Sequence, residues 1–158
     1  MVDRPLKTIN VHVGSSNTGE PVFEEMLVTD LGDSVMRVER SPGLVLGIAR
    51  GDEIRYRMES GQFEVLRRAG NVAIQVYYMQ KQLSEQQISA FAESLGEAMG
   101  ATWDGFTPKQ AVFSIDLKRN GFPAIENAFN RFIEGHPRVE WHYSNVFADD
   151  GTTPLNWW

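Results

Sequence analysis

The sequence contains no cysteine. This absence excludes disulfide bonds, thiolate-ligated metal sites and a cysteine nucleophile. A chain of 158 residues is nevertheless long enough to bury about 70% of the surface that its unfolded form exposes. We therefore expect a domain that needs no covalent cross-link, in a reducing, cytoplasmic setting.

Long hydrophobic runs are also absent. No apolar stretch approaches the roughly 20 residues needed to cross a bilayer. The N-terminus, MVDRPLKTINVHV, carries an acid, a proline and two basic residues before any apolar residues cluster, which is unlike a signal peptide. We expect a soluble, unprocessed protein that does not associate with a membrane.

Positive charge is scarce overall and missing from two segments. The net charge of −6 argues against nucleic acid as a direct partner, because phosphate binding depends on Lys and Arg. Neither the segment 20–33 nor the segment 82–108 contains Lys or Arg. The acids of the first segment either solvate an exposed face or form a negative surface that attracts a basic partner. They are Glu20, Glu24, Glu25, Asp30 and Asp33.

The first half of the chain has the alternation typical of half-buried strands. Apolar residues alternate with polar ones at 9–13, and further strands are predicted at 22–29 and 35–39, with a turn at 30–33. The segments 53–58 and 63–65 form a hairpin around the turn ESGQ, residues 59–62. Residues 1–71 are therefore predicted to form a β-meander or a small barrel-like half.

The second half alternates strands with helices. Residues 72–80 are apolar on both faces, which predicts a central strand. SEQQ, residues 84–87, has the form of a capping box for a helix that ends at Gly100. A strand at 111–117, a helix from Pro123 to Gly135 and a last strand at 139–143 follow. This order predicts a ferredoxin-like βαβαβ half at 72–148, a tail at 149–158, and a single compact α+β domain over 1–158.

The segment LVLGIARGDEIRY, residues 44–56, has the glycine content of a functional loop. It matches neither the phosphate-binding pattern GxxxxGK[ST] nor GxGxxG, and the residues after it alternate as a strand rather than a helix. We interpret Gly47 and Gly51 as turn residues that lead into a strand starting at Glu53.

Residues suited to catalysis or metal binding do not form a convincing set. HPRVEWH, residues 136–142, contains His136, Glu140 and His142, but Pro137 interrupts the spacing and both later side chains are expected to point outward. No GxSxG motif is present, and the adjacent acid pairs would point to opposite faces of a strand. We predict no metal, no cofactor and no enzymatic activity.

The tail ends on two large aromatic residues, Trp157 and Trp158. Terminal segments fray unless they are docked, and an indole exposes a large apolar surface. Two alternatives remain open: the indoles fold back over the core, or they anchor an interface.

The segments SPGLVLGIARGDEIRY and FEVLRRAGNVAIQV resemble a family of small bacterial domains that is known only as a domain of unknown function (number 4265). The resemblance covers roughly residues 7–146. It implies a shared fold and supplies no catalytic residues. Some families of this kind act as immunity proteins beside polymorphic toxins.

We therefore expect an immunity protein that binds and occludes a cognate, basic toxin domain. The predicted partner-binding residues share negative charge or large aromatic rings: Glu20, Glu24, Glu25, Asp30, Asp33, Trp157 and Trp158. The alternative is a small regulatory domain that binds a metabolite between its two halves. A hydrolase with an unrecognised polar pocket is a third possibility.

Overall fold

The computed structural model describes residues 3–79 and 82–158. Over these residues the chain forms nine strands and two helices in two antiparallel sheets. The first sheet contains β1 (Leu6–Ser15), β2 (Pro21–Gly32), β3 (Val35–Val38), β4 (Glu53–Arg57) and β5 (Gln62–Arg67). The second contains β6 (Asn71–Tyr77), β7 (Thr102–Thr107), β8 (Gln110–Asp116) and β9 (Glu140–Tyr143), with α1 (Glu85–Met99) before β7 and α2 (Phe122–Glu134) before β9. The predicted α+β class is confirmed.

The first sheet is an open meander in the order β1-β2-β3-β4-β5. It curls so that its ends approach each other. The His12 amide donates a hydrogen bond of 2.8 Å to the Gly61 carbonyl in the β4–β5 turn. The Tyr56 hydroxyl donates one of 2.7 Å to the Asn10 carbonyl of β1. The predicted meander is therefore confirmed, with a curvature that brings its edge strands near each other.

The second sheet has the order β7-β8-β6-β9 and is antiparallel throughout. This is the ferredoxin-like order, and β6 is central as predicted. The prediction lacked one strand, because β7 precedes β8 and the half reads β-α-β-β-α-β. A register shift between Trp103 and Gly105 interrupts β7. A bulge of this kind breaks the alternation by which a strand is identified in sequence.

Local signals in the sequence place the helix ends correctly. The Ser84 side chain accepts a hydrogen bond from the Gln87 amide, and the Gln87 side chain accepts one from the Ser84 amide. Gly100 ends α1 in the left-handed conformation, with φ of +68°. Proline lies in the first turn of α2, and Gly135 ends that helix. Neither helix in the described part of the chain has the length and apolar character of a membrane span.

The two halves have separate hydrophobic cores. In the second half, Phe113, Phe129 and their neighbours fill the space between the sheet and the helices. In the first half, the concave face of the meander is covered by the connecting loop, which we define as residues 39–52 between β3 and β4. Val45 and Ile48 of this loop are buried in the first core. The single-domain organisation and its division near residue 71 stay predictions.

Candidate functional site

A layer of buried polar groups lies between the two cores, where the connecting loop crosses the helix-free face of the second sheet. The Gln75 side chain donates to the Gly43 carbonyl at 3.0 Å, and the Gln110 side chain donates to the same oxygen at 2.7 Å. The Asn71 side chain donates to the Arg50 carbonyl at 2.8 Å. Side chains of the second sheet therefore hold the loop that covers the first core.

Asp104 is the centre of this polar layer. Its side chain has no exposed surface, and the bulge in β7 turns it inward. One carboxylate oxygen accepts hydrogen bonds from the Ser41 amide at 2.7 Å and the Ser114 hydroxyl at 2.5 Å. The other accepts one from the Thr102 hydroxyl at 2.6 Å and lies 3.5 Å from the Arg50 guanidinium. These hydrogen bonds offset the free-energy cost of removing the Asp104 carboxylate from water.

The serines beside Asp104 extend the hydrogen-bond network. Because Ser114 donates to Asp104, the Ser41 hydroxyl must donate to Ser114 across their 2.7 Å contact. Ser41 in turn accepts the Arg50 amide at 2.9 Å. Both serines are buried, so this network fastens the two halves together and exposes no nucleophile. No sequence pattern predicted this network, although a glycine after Asp104 within a strand is a signal for a bulge.

Asp52 holds the second bend of the connecting loop. It is buried, and its carboxylate accepts the amides of Ala49 and Ala69, each at 3.0 Å, while Arg68 lies 3.6 Å away. Burial raises the pKa of Asp52, although the hydrogen bonds from these amides and the charge of Arg68 act to lower it. Gly51 has φ of +90°, and β4 begins at Glu53 as predicted. The interpretation of Gly47 and Gly51 as turn residues that lead into a strand at Glu53 is therefore confirmed.

The first surface feature is a cleft of about 510 Å³ that wraps around edge strand β9. We call it the edge cleft and define it by Leu46, Tyr77, Glu126, Trp141, Phe147 and Asp149. Three of these apolar side chains are accessible: Leu46 is 56% exposed, and Tyr77 and Phe147 are each 37% exposed. Glu126 and Asp149 supply negative charge, and no Lys or Arg lines the cleft among the described residues. The edge cleft thus combines aromatic surface with an acidic rim.

One wall of the edge cleft contains an unpaired hydroxyl. Within the described residues, the Tyr143 hydroxyl is the one buried side-chain polar atom without a hydrogen-bond partner. Burial raises the pKa of Tyr143, and the charge of Glu126 raises it further. The group therefore stays protonated and keeps its donor at neutral pH.

A second cleft, of about 560 Å³, lies between the convex face of the first sheet and β7. We call it the junction cleft and define it by Leu6, Glu39, Arg40, Arg50, Trp103 and Phe106. Glu39 is already engaged, since it accepts the Thr29 hydroxyl and the Arg37 guanidinium. Burial raises the pKa of Glu39, but these hydrogen bonds outweigh burial and lower it. The junction cleft therefore offers cationic and aromatic groups.

The tail tryptophans have different surroundings. Trp157 is half-buried against the second core, and its indole donates a 2.7 Å hydrogen bond to the Asn145 carbonyl. Trp158 is 49% exposed and packs edge-on against Phe122 at 5.1 Å. Trp157 therefore folds back over the core, which is one of the two predicted alternatives. An interface role for either residue stays a prediction.

Two of the predicted acidic residues make contacts within the chain. Glu24 accepts the amides of Gly43, Leu44 and Val45 at 2.8 to 2.9 Å, so it supports the connecting loop. Asp30 accepts the Gly32 amide at 2.9 Å and pairs with a lysine, Lys7, at 3.0 Å. The Gly32 amide and then the Lys7 contact lower the pKa of Asp30.

The other three acids are exposed but spread along the first sheet. Glu20 and Asp33 flank the two ends of β2, which has 12 residues and is therefore about 40 Å long. Glu25 lies between them and points to the face opposite Glu24, because neighbouring strand residues alternate. The structure does not bring the five acids into one patch, and their binding of a partner stays a prediction.

Two of the three candidate metal residues, Glu140 and His142, lie on the outside of β9, whereas His136 precedes the strand and packs against Phe132. His142 and Glu140 are 3.6 Å apart and exposed, on the face opposite the half-buried Trp141 and Tyr143, as predicted. Over residues 3–79 and 82–158, no group of three His, Asp or Glu side chains is arranged to hold a metal ion.

Comparisons with known proteins agree with this fold. The family described as Domain of unknown function (DUF4265) matches residues 24–141, and the chain belongs to that family. A solved structure of a hypothetical protein from Neisseria gonorrhoeae is similar, with a TM-score of 0.62 and 10% sequence identity over 91% of this chain and 96% of that one. At this identity the likeness concerns the fold alone. No curated protein matches the chain.

Proposed function

We propose that this member of the DUF4265 family is a cytoplasmic immunity protein that binds and occludes a cognate toxin domain, and that the edge cleft receives a basic surface of the toxin. The observation that carries the proposal is the lining of that cleft, in which exposed aromatic and aliphatic side chains lie near carboxylates and no Lys or Arg is present among the described residues.

The apolar part of the cleft suits an anchor site. Protein interfaces are enriched in aromatic residues at their centre, and a few such anchors carry most of the binding energy. Leu46, Tyr77 and Phe147 are large and exposed in the free chain, so a bound partner could cover their apolar surface. Covering them would contribute roughly 25 cal/mol for each Å² of apolar surface removed from water.

The negative charge of the edge cleft favours a positively charged partner. Glu126 and Asp149 lie in the wall, and Asp150 follows directly in the chain. The hydrogen bonds from Thr153 and Thr152 lower the pKa of Asp150 to about 2, so this carboxylate stays ionised at neutral pH. Acidic rims steer basic partners and raise their association rate. Occlusion of the toxin would need only this binding.

The test is co-expression with the toxin domain encoded beside the gene of this chain, followed by binding kinetics of the purified pair. The wild-type chain should protect the cells. The double variant Glu126→Lys and Asp149→Lys should associate at least about 10-fold more slowly and lose most of the salt dependence of association. Phe147→Ala should mainly accelerate dissociation.

Two control variants separate the parts of the proposal. Glu93→Lys, on the exposed side of α1, should leave association nearly unchanged. If Glu25→Lys with Asp33→Lys slows association while the edge-cleft variants do not, the partner binds the first sheet and the edge cleft is the wrong surface. If the wild-type chain neither binds the toxin domain nor protects cells, the immunity function is refuted.

A second candidate function is the binding of an anionic metabolite in the junction cleft. Its position between the two halves and its exposed Arg40 support this hypothesis, whereas Arg50 already lies beside Asp104. A thermal-shift screen of anionic metabolites tests it, because a ligand of the native state raises the melting temperature. A hit should be lost in Arg40→Gln, and a hit that survives this substitution binds elsewhere.

A further inference from the structure

A third cleft, of about 500 Å³, is formed where the tail folds against the second half. We call it the tail cleft and define it by Arg68, Lys118, Gly121, Phe122, Trp157 and Trp158. Among the described residues, the tail cleft and the edge cleft share no lining residue. The tail cleft has basic side chains, whereas the edge cleft has acidic ones. Its volume lies in the range of small-molecule sites, which are commonly concave and aromatic with a few polar groups.

The aromatic walls of the tail cleft are held in place. The hydrogen bond to Asn145 fixes the Trp157 indole, and the Arg68 guanidinium lies 5.6 Å from the centre of that ring. Trp158 meets Trp157 edge-on, with ring centres 5.5 Å apart. Trp158 lies nearly at right angles to both Trp157 and Phe122. The three rings therefore offer faces and edges against which a planar aromatic ligand can pack.

The charged side chains that line the tail cleft are both basic. Among the described residues, its lining contains Arg68 and Lys118 and no Asp or Glu. Arg68 is partly neutralised, since it lies 3.6 Å from Asp52 and donates to the Gly47 carbonyl. Lys118 is exposed and forms no ion pair within the described part of the chain. Lys118 therefore supplies the available cation at the rim, and the start of α2 at Gly121 lies beside it.

From these observations we infer that the tail cleft binds a small planar aromatic molecule that carries one anionic group. The ring stacks among Phe122, Trp157 and Trp158, and the anion lies against Lys118. This binding site is separate from the proposed capture of a basic protein, and it stands whether or not the immunity function does.

The indole N–H signals of the full chain test this inference, because Trp157 and Trp158 line the tail cleft whereas Trp141 lines the acidic edge cleft and serves as the internal control. The probe is naphthalene-2-carboxylate, and 2-naphthylmethylamine is its cationic counterpart. The carboxylate should shift the Trp157 and Trp158 signals in a saturable manner and leave the Trp141 signal unchanged. The amine should bind at least about 10-fold more weakly, because its charge repels Lys118.

Three variants assign the contributions. Lys118→Gln should weaken carboxylate binding about 5-fold at low salt, whereas the matched substitution Lys109→Gln, in the β7–β8 turn, should have no effect. Trp158→Ala should weaken it about 10-fold through the lost ring contact. Equal affinity for the amine, equal effects of Lys118→Gln and Lys109→Gln, or the absence of saturable shifts at Trp157 and Trp158 would each overturn the inference.

Discussion

The two halves of the molecule complete their hydrophobic cores in different ways. The second half covers one face of its sheet with its own helices, and Phe129 of α2 packs directly on Phe113 of β8. The first half has no helix within residues 3–71. It covers the concave face of its meander with the connecting loop, which places Val45 and Ile48 in the core.

This difference makes the dependence between the two hydrophobic cores one-sided, whereas the Asp104 network depends on both halves. A loop has few backbone hydrogen bonds of its own and needs partners to stay in place. The partners of the connecting loop include Gln75, Gln110 and Ser114 of the second sheet. The first core is therefore completed by groups from the second half, whereas the second core includes no buried residue of the first.

The largest effect is expected from truncating a buried isoleucine in either core. Ile48→Ala and Ile125→Ala should each destabilise the chain by about 4 kcal/mol, since both residues are fully buried and truncation leaves a cavity. Native-state hydrogen exchange should then differ between the variants. Ile48→Ala should expose amides of β2 only, and Ile125→Ala should expose amides of both β2 and β8.

Equal loss of protection in β8 for the two variants would refute the one-sided dependence. It would mean that the second core relies on the first as much as the first relies on the second.

An intermediate effect is expected from the polar layer. Asp104→Asn keeps the shape of the side chain but replaces one acceptor oxygen by a donor, which leaves Ser41 or Thr102 without its bond. The cost should be about 3 kcal/mol, measured by denaturant unfolding. The variant should also separate the unfolding of the two halves, so that probes in β2 and β8 no longer give the same midpoint. Asp149→Asn, at an exposed aspartate, is the control and should leave both midpoints unchanged.

A smaller effect is expected at the bend of the connecting loop. Gly51 has φ of +90°, and an added Cβ would lie 2.7 Å from the Cβ of Ala69. Gly51→Ala should therefore cost about 2 kcal/mol from backbone strain and crowding. Gly19→Ala is the matched control, because Gly19 has φ of +84° and open space around it. It should cost about 1 kcal/mol, and equal losses would show that crowding against Ala69 is unimportant.

Patterns of short range in the sequence predicted most of the elements. The reciprocal bonds of Ser84 and Gln87 form within one helical turn, so the capping box predicts the start of α1 without tertiary information. β7 was missed because its bulge removes the alternation. The role of Glu24 was missed for another reason. The amides of residues 43–45, which donate to its carboxylate, lie 19 to 21 residues away in the chain.

The sequence by itself determined the α+β class, the meander, the helix ends and the turn at Gly51 before β4, because these depend on periodicity and on the dihedral preferences of nearby residues. Only the tertiary structure decided which side chains meet. Asp104 and Ser41 are 63 residues apart in the chain, and Ser41 and Ser114 are 73 apart. Their network and the three clefts exist because folding brings distant strand edges, a loop and a tail into contact, and no local pattern encodes that proximity.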